Sequence, residues 1–339
     1  MSVRLRSTTG ILVLLAAITA SVYWSVRVYS SDAADDSGLL PIVLEGSQNT
    51  ASLVKSGKGK VVVRQELVQR SGGMLETETT YNLAFCGDKF KAVGETEYLK
   101  NDENGKIEQG MVSTPAGSRI TTITKFDGQT AYEFNVERRK GRLGGHDTSV
   151  GRRVLTQYEL ELAVGKGRCF GRGLCDLEDY CKPTTFPGVT SCSGPTVVGR
   201  ETIDGNECIV VECVWRHKYG SGEAIDTRRF WVDPNKGFTL ARVKVWFDGG
   251  SYREKTLVAE SNMKTRQYSN DVWGPDRYEE TMYTTADNSE QPSIREHTVV
   301  TFDSGFALNV PIANEDLSFA FPSGTKVDDE TLDMSYEVP

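Results

Sequence analysis

Four cysteines, Cys169, Cys175, Cys181 and Cys192, fall within one Gly- and Pro-containing stretch, GKGRCFGRGLCDLEDYCKPTTFPGVTSCSG. Disulfides inside the stretch, or one reaching elsewhere, are the plain reading of thiols at that density. A four-thiolate zinc site is the alternative, but the spacings lack the tight C-x2-C knuckles that fix tetrahedral sulfur geometry. Seven cysteines in all fit an oxidising compartment and leave one odd. Cys208 and Cys213 bracket IVVE at an odd separation, which in a regular strand places them on opposite faces and argues against a mutual bond.

Other reactive constellations are thin. The sequence holds no G-x-S-x-G elbow, G-x-G-x-x-G turn, phosphate-binding G-x-x-x-x-G-K-[ST] loop or H-E-x-x-H pair. Its three histidines, His146, His217 and His297, are too separated to nominate a metal cluster. His146, Asp147 and Ser149 contain the ingredients of a nucleophilic triad, yet neighbours in an extended loop point away from each other. Carboxylate pairs in NDENG and KVDDETLD read as wet turns and a tail rather than as an acid and a base held across a cleft. The reading is a non-enzyme, with no catalytic residue, cofactor or metal.

Charge narrows the partners. The chain carries 39 Lys and Arg against 47 Asp and Glu. Three of the basic residues, Arg4, Arg6 and Arg27, precede residue 31 and none of the acids does, so the remainder bears about −11. Such a surface repels polyanions, and nucleic-acid binding is a poor hypothesis. The run ILVLLAAITASVYWSV, Ile11 to Val26, is apolar and follows arginines. Residues 1–30 are therefore expected to be a signal or anchor, with residues 11–29 in the membrane and the rest outside the cytoplasm, or periplasmic or secreted if the segment is cleaved.

The elements that must position any site are strands. After a spacer-like stretch at 31–56, segments such as KVVVRQELVQR, TETTYNLAFCG and FKAVGETEYL follow one another across turn-type punctuation. GRRVLTQYELELAV is the one good helix candidate, ahead of a cysteine-rich insert at 165–195. Asp204-Gly205 predicts one hairpin. DPNKG predicts another between TRRFWV and FTLARVKVWF, with Pro234 fixing φ and Gly237 closing the turn. Strict alternation puts Thr239, Ala241, Val243, Val245 and Phe247 on one face and Phe238, Leu240, Arg242, Lys244 and Trp246 on the other. With no β-α-β alternation, an antiparallel sheet follows.

FWVDPNKGFTLARVKVWFDGG, preceded by a DG hairpin, and the stretch VPIANEDLSFAFPSGTKVDDE resemble the bacterial periplasmic lipoprotein carrier and outer-membrane lipoprotein-sorting superfamily, closest to its large secreted relatives. The resemblance implies a mainly β (α+β) fold: a large curved antiparallel sheet forming an open half-barrel over residues 57–330, with a few helices on its concave side and a tail at 331–339. It further implies that sheet residues line a cavity for acyl chains. The candidate apolar groove is Phe230, Trp231, Leu240, Trp246 and Trp215. Two functions follow: a binding protein for an apolar ligand, a lipid or an acylated protein, or a structural and interaction protein of the cell envelope with a filled core. If the cysteine-rich segment is disulfide-linked, reduction opens it to limited proteolysis between residues 169 and 192 ahead of the sheet. Unchanged cleavage in that segment with reductant would refute this.

Overall fold

A computed structural model describes residues 38–68, 73–101, 115–145, 148–150, 189–219, 222–249, 252–268, 272–284 and 293–339. The helix expected at 151–164 lies outside them, as do Cys169, Cys175, Cys181, His146 and Asp147. The first element is helix α1, Leu39–Leu53. Strands β1 (Ser56–Val68), β2 (Met74–Cys86), β3 (Lys89–Asn101), β4 (Arg119–Phe126), β5 (Thr130–Asn135) and β6 (Lys140–Gly145) follow. The second series is β7 (Val189–Ile203), β8 (Asn206–Tyr219), β9 (Gly222–Asp233), β10 (Thr239–Gly249), β11 (Tyr252–Gln267), β12 (Trp273–Thr284) and β13 (Ser293–Phe302). A two-residue β14 (Ala307–Leu308), a short helix α2 (Asn314–Leu317), β15 (Lys326–Asp329) and β16 (Met334–Glu337) complete the chain.

These strands make one sheet, in the order β16-β15-β6-β5-β4-β3-β2-β1-β13-β12-β11-β10-β9-β8-β7, with β14 also on β1. Two antiparallel meanders meet where β1 pairs with β13, Val63 opposite Val300. The mostly β composition with few helices is as expected, but the half-barrel is not: the sheet is neither closed nor strongly curved. The pairing accounts for the open ends. Closure would need β6 to meet β7, but β15 takes the outer edge of β6 in parallel register, Val327 opposite Gly141. The sheet ends at β7 and β16.

One face of the sheet is apolar. In β1, Val61 and Val63 are buried, while Arg64 points to the other side, as alternation requires. Val61, Val63, Leu83, Phe85, Val300 and Phe302 form one cluster with Tyr278, and Val150 is buried in the same cluster. The rim of that face holds α1. Ser47 Oγ donates to the Phe238 carbonyl at 3.1 Å, and Gly46 is small because a Cβ there would lie 2.2 Å from the Phe238 ring. At its other end, Asn309 clamps the chain, accepting from Lys55 N at 2.9 Å and donating to the Leu53 carbonyl at 2.7 Å.

No helix among the described residues is long and apolar enough to cross a membrane. No such helix among them supports the anchor expected at residues 11–29, or the membrane as a partner and the anchored location that followed from it. Residues 1–37 themselves lie outside the described residues. In α1, which occupies Leu39–Leu53 of the stretch expected to be a spacer, the apolar LLPIVL gives way to GSQNTAS. Its length, about 22 Å at 1.5 Å per residue, falls short of a hydrocarbon core of roughly 30 Å.

Phe85 is fully buried, with its ring against Gly57. Truncation by Phe85→Ala is expected to lower unfolding free energy by about 3–5 kcal/mol, read from urea denaturation. A change below about 1 kcal/mol would place this ring outside the cooperative core.

Candidate functional site

The β9–β10 hairpin holds most of the residues nominated from sequence. Asp233 Oδ1 accepts from Asn235 N at 3.0 Å, Pro234–Lys236 form a single 3-10 turn, and Gly237 takes φ 67°. Phe238 also has positive φ, 58°, an uncommon state for a bulky residue. The ladder then pairs Leu240 with Val232 and Arg242 with Trp231, so an extra residue, Ala241, enters as a bulge. That bulge moves Leu240 to the side of Val232 and Phe230, away from the Trp246 side on which strict alternation had put it.

The five groove candidates are therefore divided between two faces. Phe230, Leu240 and Trp215 lie on the apolar face, and Trp231 and Trp246 lie on the opposite one. Trp215, Phe230 and Trp231 are closed to water, at 2%, 0% and 3% exposure. Leu240 and Trp246 are half-buried. The structure brings Trp231 and Trp246 into one cluster and sets Leu240 near Phe230, but Trp215 stands opposite Asp226, four residues along β9 from Phe230, and the two faces stay separate.

On the second face a small cluster of Cys208, Val210 and Trp231 is flanked by Ile203, Ala241 and Trp246. Trp231 Nε1 donates to Glu201 Oε2 at 2.9 Å. The basic heads noted in the sequence are occupied. Arg229 stands 5.5 Å and Lys255 5.4 Å from the Trp246 ring centroid, and Arg242 stands 6.0 Å from that of Trp231. Arg229 also pairs with Glu212 at 2.7 Å, while Arg242 and Lys244 share Glu260 at 3.5 and 3.4 Å. Stacking on a ring and pairing with a carboxylate stabilise each cation where it lies. The result is a satisfied polar surface over aromatic carbon.

Polar groups interrupt the apolar face as well. Arg228 lies 5.0 Å from the Trp215 ring and pairs with Asp226 at 2.7 Å. His217 stacks on Phe247 with centroids 6.3 Å apart, and its Nε2 is buried without a hydrogen-bond partner. Sequence reasoning missed a buried carboxylate, Glu280, near Ser261 Oγ at 3.4 Å, with Tyr278 OH donating to Ser261 Oγ at 3.0 Å. The signal was available in YEETMYTT, where Glu280 alternates in phase with the inward Tyr278 and Met282.

Across the β1–β13 seam, the second face carries a shallow groove of about 390 Å³ lined by Val62, Arg64, Glu66, Glu78, Arg277, His297, Val299 and Thr301. It is polar. Arg64 pairs with Glu76 at 2.5 Å, and Glu279 takes His297 at 3.1 Å and Arg277 at 3.2 Å. The His297 hydrogen bond, helped by Arg277, holds the Glu279 carboxyl below its usual range against the opposing effect of partial burial. Among the described residues no group of three or more His, Cys, Asp and Glu is placed to hold a metal ion.

Cys192, the described member of the four clustered cysteines, is half-buried opposite Trp215. Cys208 and Cys213 do lie on opposite faces, facing Glu201 and Arg228 respectively. Burial, reinforced by the nearby Asp233 charge, pushes the Cys208 thiol up to about 11. Cys86 is exposed at the end of β2.

No family model and no curated protein matches the chain. It is similar to the solved structure of an outer membrane lipoprotein-sorting protein domain from Vibrio parahaemolyticus, at 12% identity and TM-score 0.37, over 82% of this chain and 97% of that one. An uncharacterized conserved protein from Thermus thermophilus matches at 8% identity and TM-score 0.28, over 86% and 98%. The Mycobacterium tuberculosis lipoprotein LppX matches at 13% identity and TM-score 0.24, over 82% and 99%.

Because the thiolate is the reactive form, Cys86 is expected to be alkylated in the native protein at pH 8 while Cys208 stays unlabelled until unfolding. Peptide mass mapping after a short iodoacetamide pulse reads this. Equal native labelling of the two would contradict the packing around Cys208.

Proposed function

We propose that the chain is a non-catalytic binding protein that works through the surfaces of its sheet. Of the two finer readings, the interaction protein with a filled core has the stronger support. The observation that carries it is the closure of Trp215, Phe230 and Trp231 by the chain's own packing, each at 3% exposure or less. Side chains already withdrawn from water gain little from a ligand's methylenes, since the gain comes from surface newly removed from solvent. The charged heads beside them are likewise engaged with one another.

The second reading, a protein that holds a lipid or an acylated protein, draws on one specific feature. Val211, Phe230 and Val243 stand in one row on the apolar face, as do Val63, Val300, Tyr278 and Met263. An acyl chain laid there would gain about 0.8 kcal/mol per buried methylene, after displacing what now covers those residues. Native mass spectrometry of the chain purified without detergent separates the two. The interaction reading predicts the mass of the polypeptide alone. A stoichiometric apolar adduct would overturn it in favour of the ligand-holding reading.

A further inference from the structure

The two ends of the sheet are built differently. β7 departs from regular pairing at three places, between Val189 and Ser191, Ser193 and Thr196, and Val197 and Gly199. Pro195, which has no N–H to offer, falls in the middle one. Bulges and proline are the devices by which edge strands avoid pairing with another chain. β16 has neither: its four residues, Met334–Glu337, pair with β15 without a register shift.

The backbone of β16 is oriented for addition. Val338 N donates to the Thr325 carbonyl at 2.9 Å, and antiparallel alternation then turns the Tyr336 and Met334 groups toward β15 and those of Ser335 and Glu337 away from it. Its side chains add an apolar strip: Met334 is 49% and Tyr336 37% exposed, and Leu332 in the preceding turn is 66% exposed. Acids surround the strip. Asp328, Glu330, Asp333 and Glu337 are exposed and face a single base, Lys326, within residues 326–337, while Asp329 is buried and caps the following turn.

We propose that β16 is a strand-addition site for an extended segment of a partner protein in which apolar residues alternate with Lys or Arg. The outward backbone supplies register, the Met334–Tyr336 strip takes alternate apolar side chains, and the surrounding carboxylates select the basic ones. A second copy of this chain is a poor occupant. Two-fold pairing about Ser335 sets Asp333 opposite Glu337, and it brings four further exposed acids to an edge that already holds four. This inference rests on the interaction reading and names its surface.

The test uses the full chain and three fluorescent ten-residue peptides: alternating Lys and Val, alternating Glu and Val, and the Lys–Val peptide N-methylated along one edge. Anisotropy titrations at about 0.15 M salt are expected to show saturable binding of the first, with the other two at least tenfold weaker. Ser335→Pro, which removes an outward donor, is expected to weaken the first peptide at least tenfold. Equal binding of the Lys–Val peptide and its N-methylated form would reduce the interaction to charge attraction and overturn the proposal. Absence of Lys–Val binding would overturn it as well. If the variant does not fold, the N-methylated peptide decides alone. A lipid adduct in the mass spectrum would strike the interaction reading without altering these titrations, so the two failures stay distinct.

Discussion

Everything described depends on the pairing of β1 with strands on both sides. The first strand of the sheet meets β2 along its whole length and β13 from Val61 to Leu67, so the earliest strand sits in the middle. Two glycines let its start fit there. A Cβ at Gly57 would lie 2.4 Å from the Phe85 ring, and one at Gly59, where φ is 154°, would lie 2.5 Å from the Phe306 Cα. With β1 central, the first meander runs outward to β6, while the second starts at the β7 edge and runs inward to β13.

That placement decides which chemistry is available. The side facing Val61, Phe230 and Trp215 is withdrawn from water, and the opposite side is a lattice of cross-strand pairs such as Arg64 with Glu76 and Arg229 with Glu212. Pairs of this kind contribute little individually at the surface, about 0–1 kcal/mol. Collectively they leave these charges engaged, so that the surface is satisfied rather than reactive. Among the described residues, strand backbone is left open at the sheet's ends, where β7 is bulged and β16 is regular.

Local features were legible in the sequence. The DG turn at Asp204 and Gly205, both at positive φ, and the cap of Asp233 on Asn235 follow from turn chemistry alone. The opposite facing of Cys208 and Cys213 follows from strand parity. Three things were not legible. A bulge at Ala241 has no strong residue signature, yet it reverses the facing of Leu240 relative to Trp246. The pairing of Val63 with Val300 joins residues far apart in the chain, and their valines would suit many strands equally. The parallel docking of β15 on β6, which takes the edge needed for closure, arises from a short KVDD segment read as part of a polar tail. The expectation of an open half-barrel failed on curvature, because alternation reports which side is buried and not which strands are neighbours or how far the sheet bends.

The seam between β1 and β13 is tested most directly by paired cysteines. Val62 and Thr301 are directly opposed on the half-exposed face, at a separation of about 5.5 Å between Cα atoms in a hydrogen-bonded antiparallel pair, within disulfide reach. Mild oxidation of Val62→Cys/Thr301→Cys, read by peptide mass mapping, is predicted to close that bond, while Val62→Cys/Val299→Cys, displaced by one pleat, remains reduced. Closure of the displaced pair at an equal rate, or of neither pair, would contradict the central position of β1.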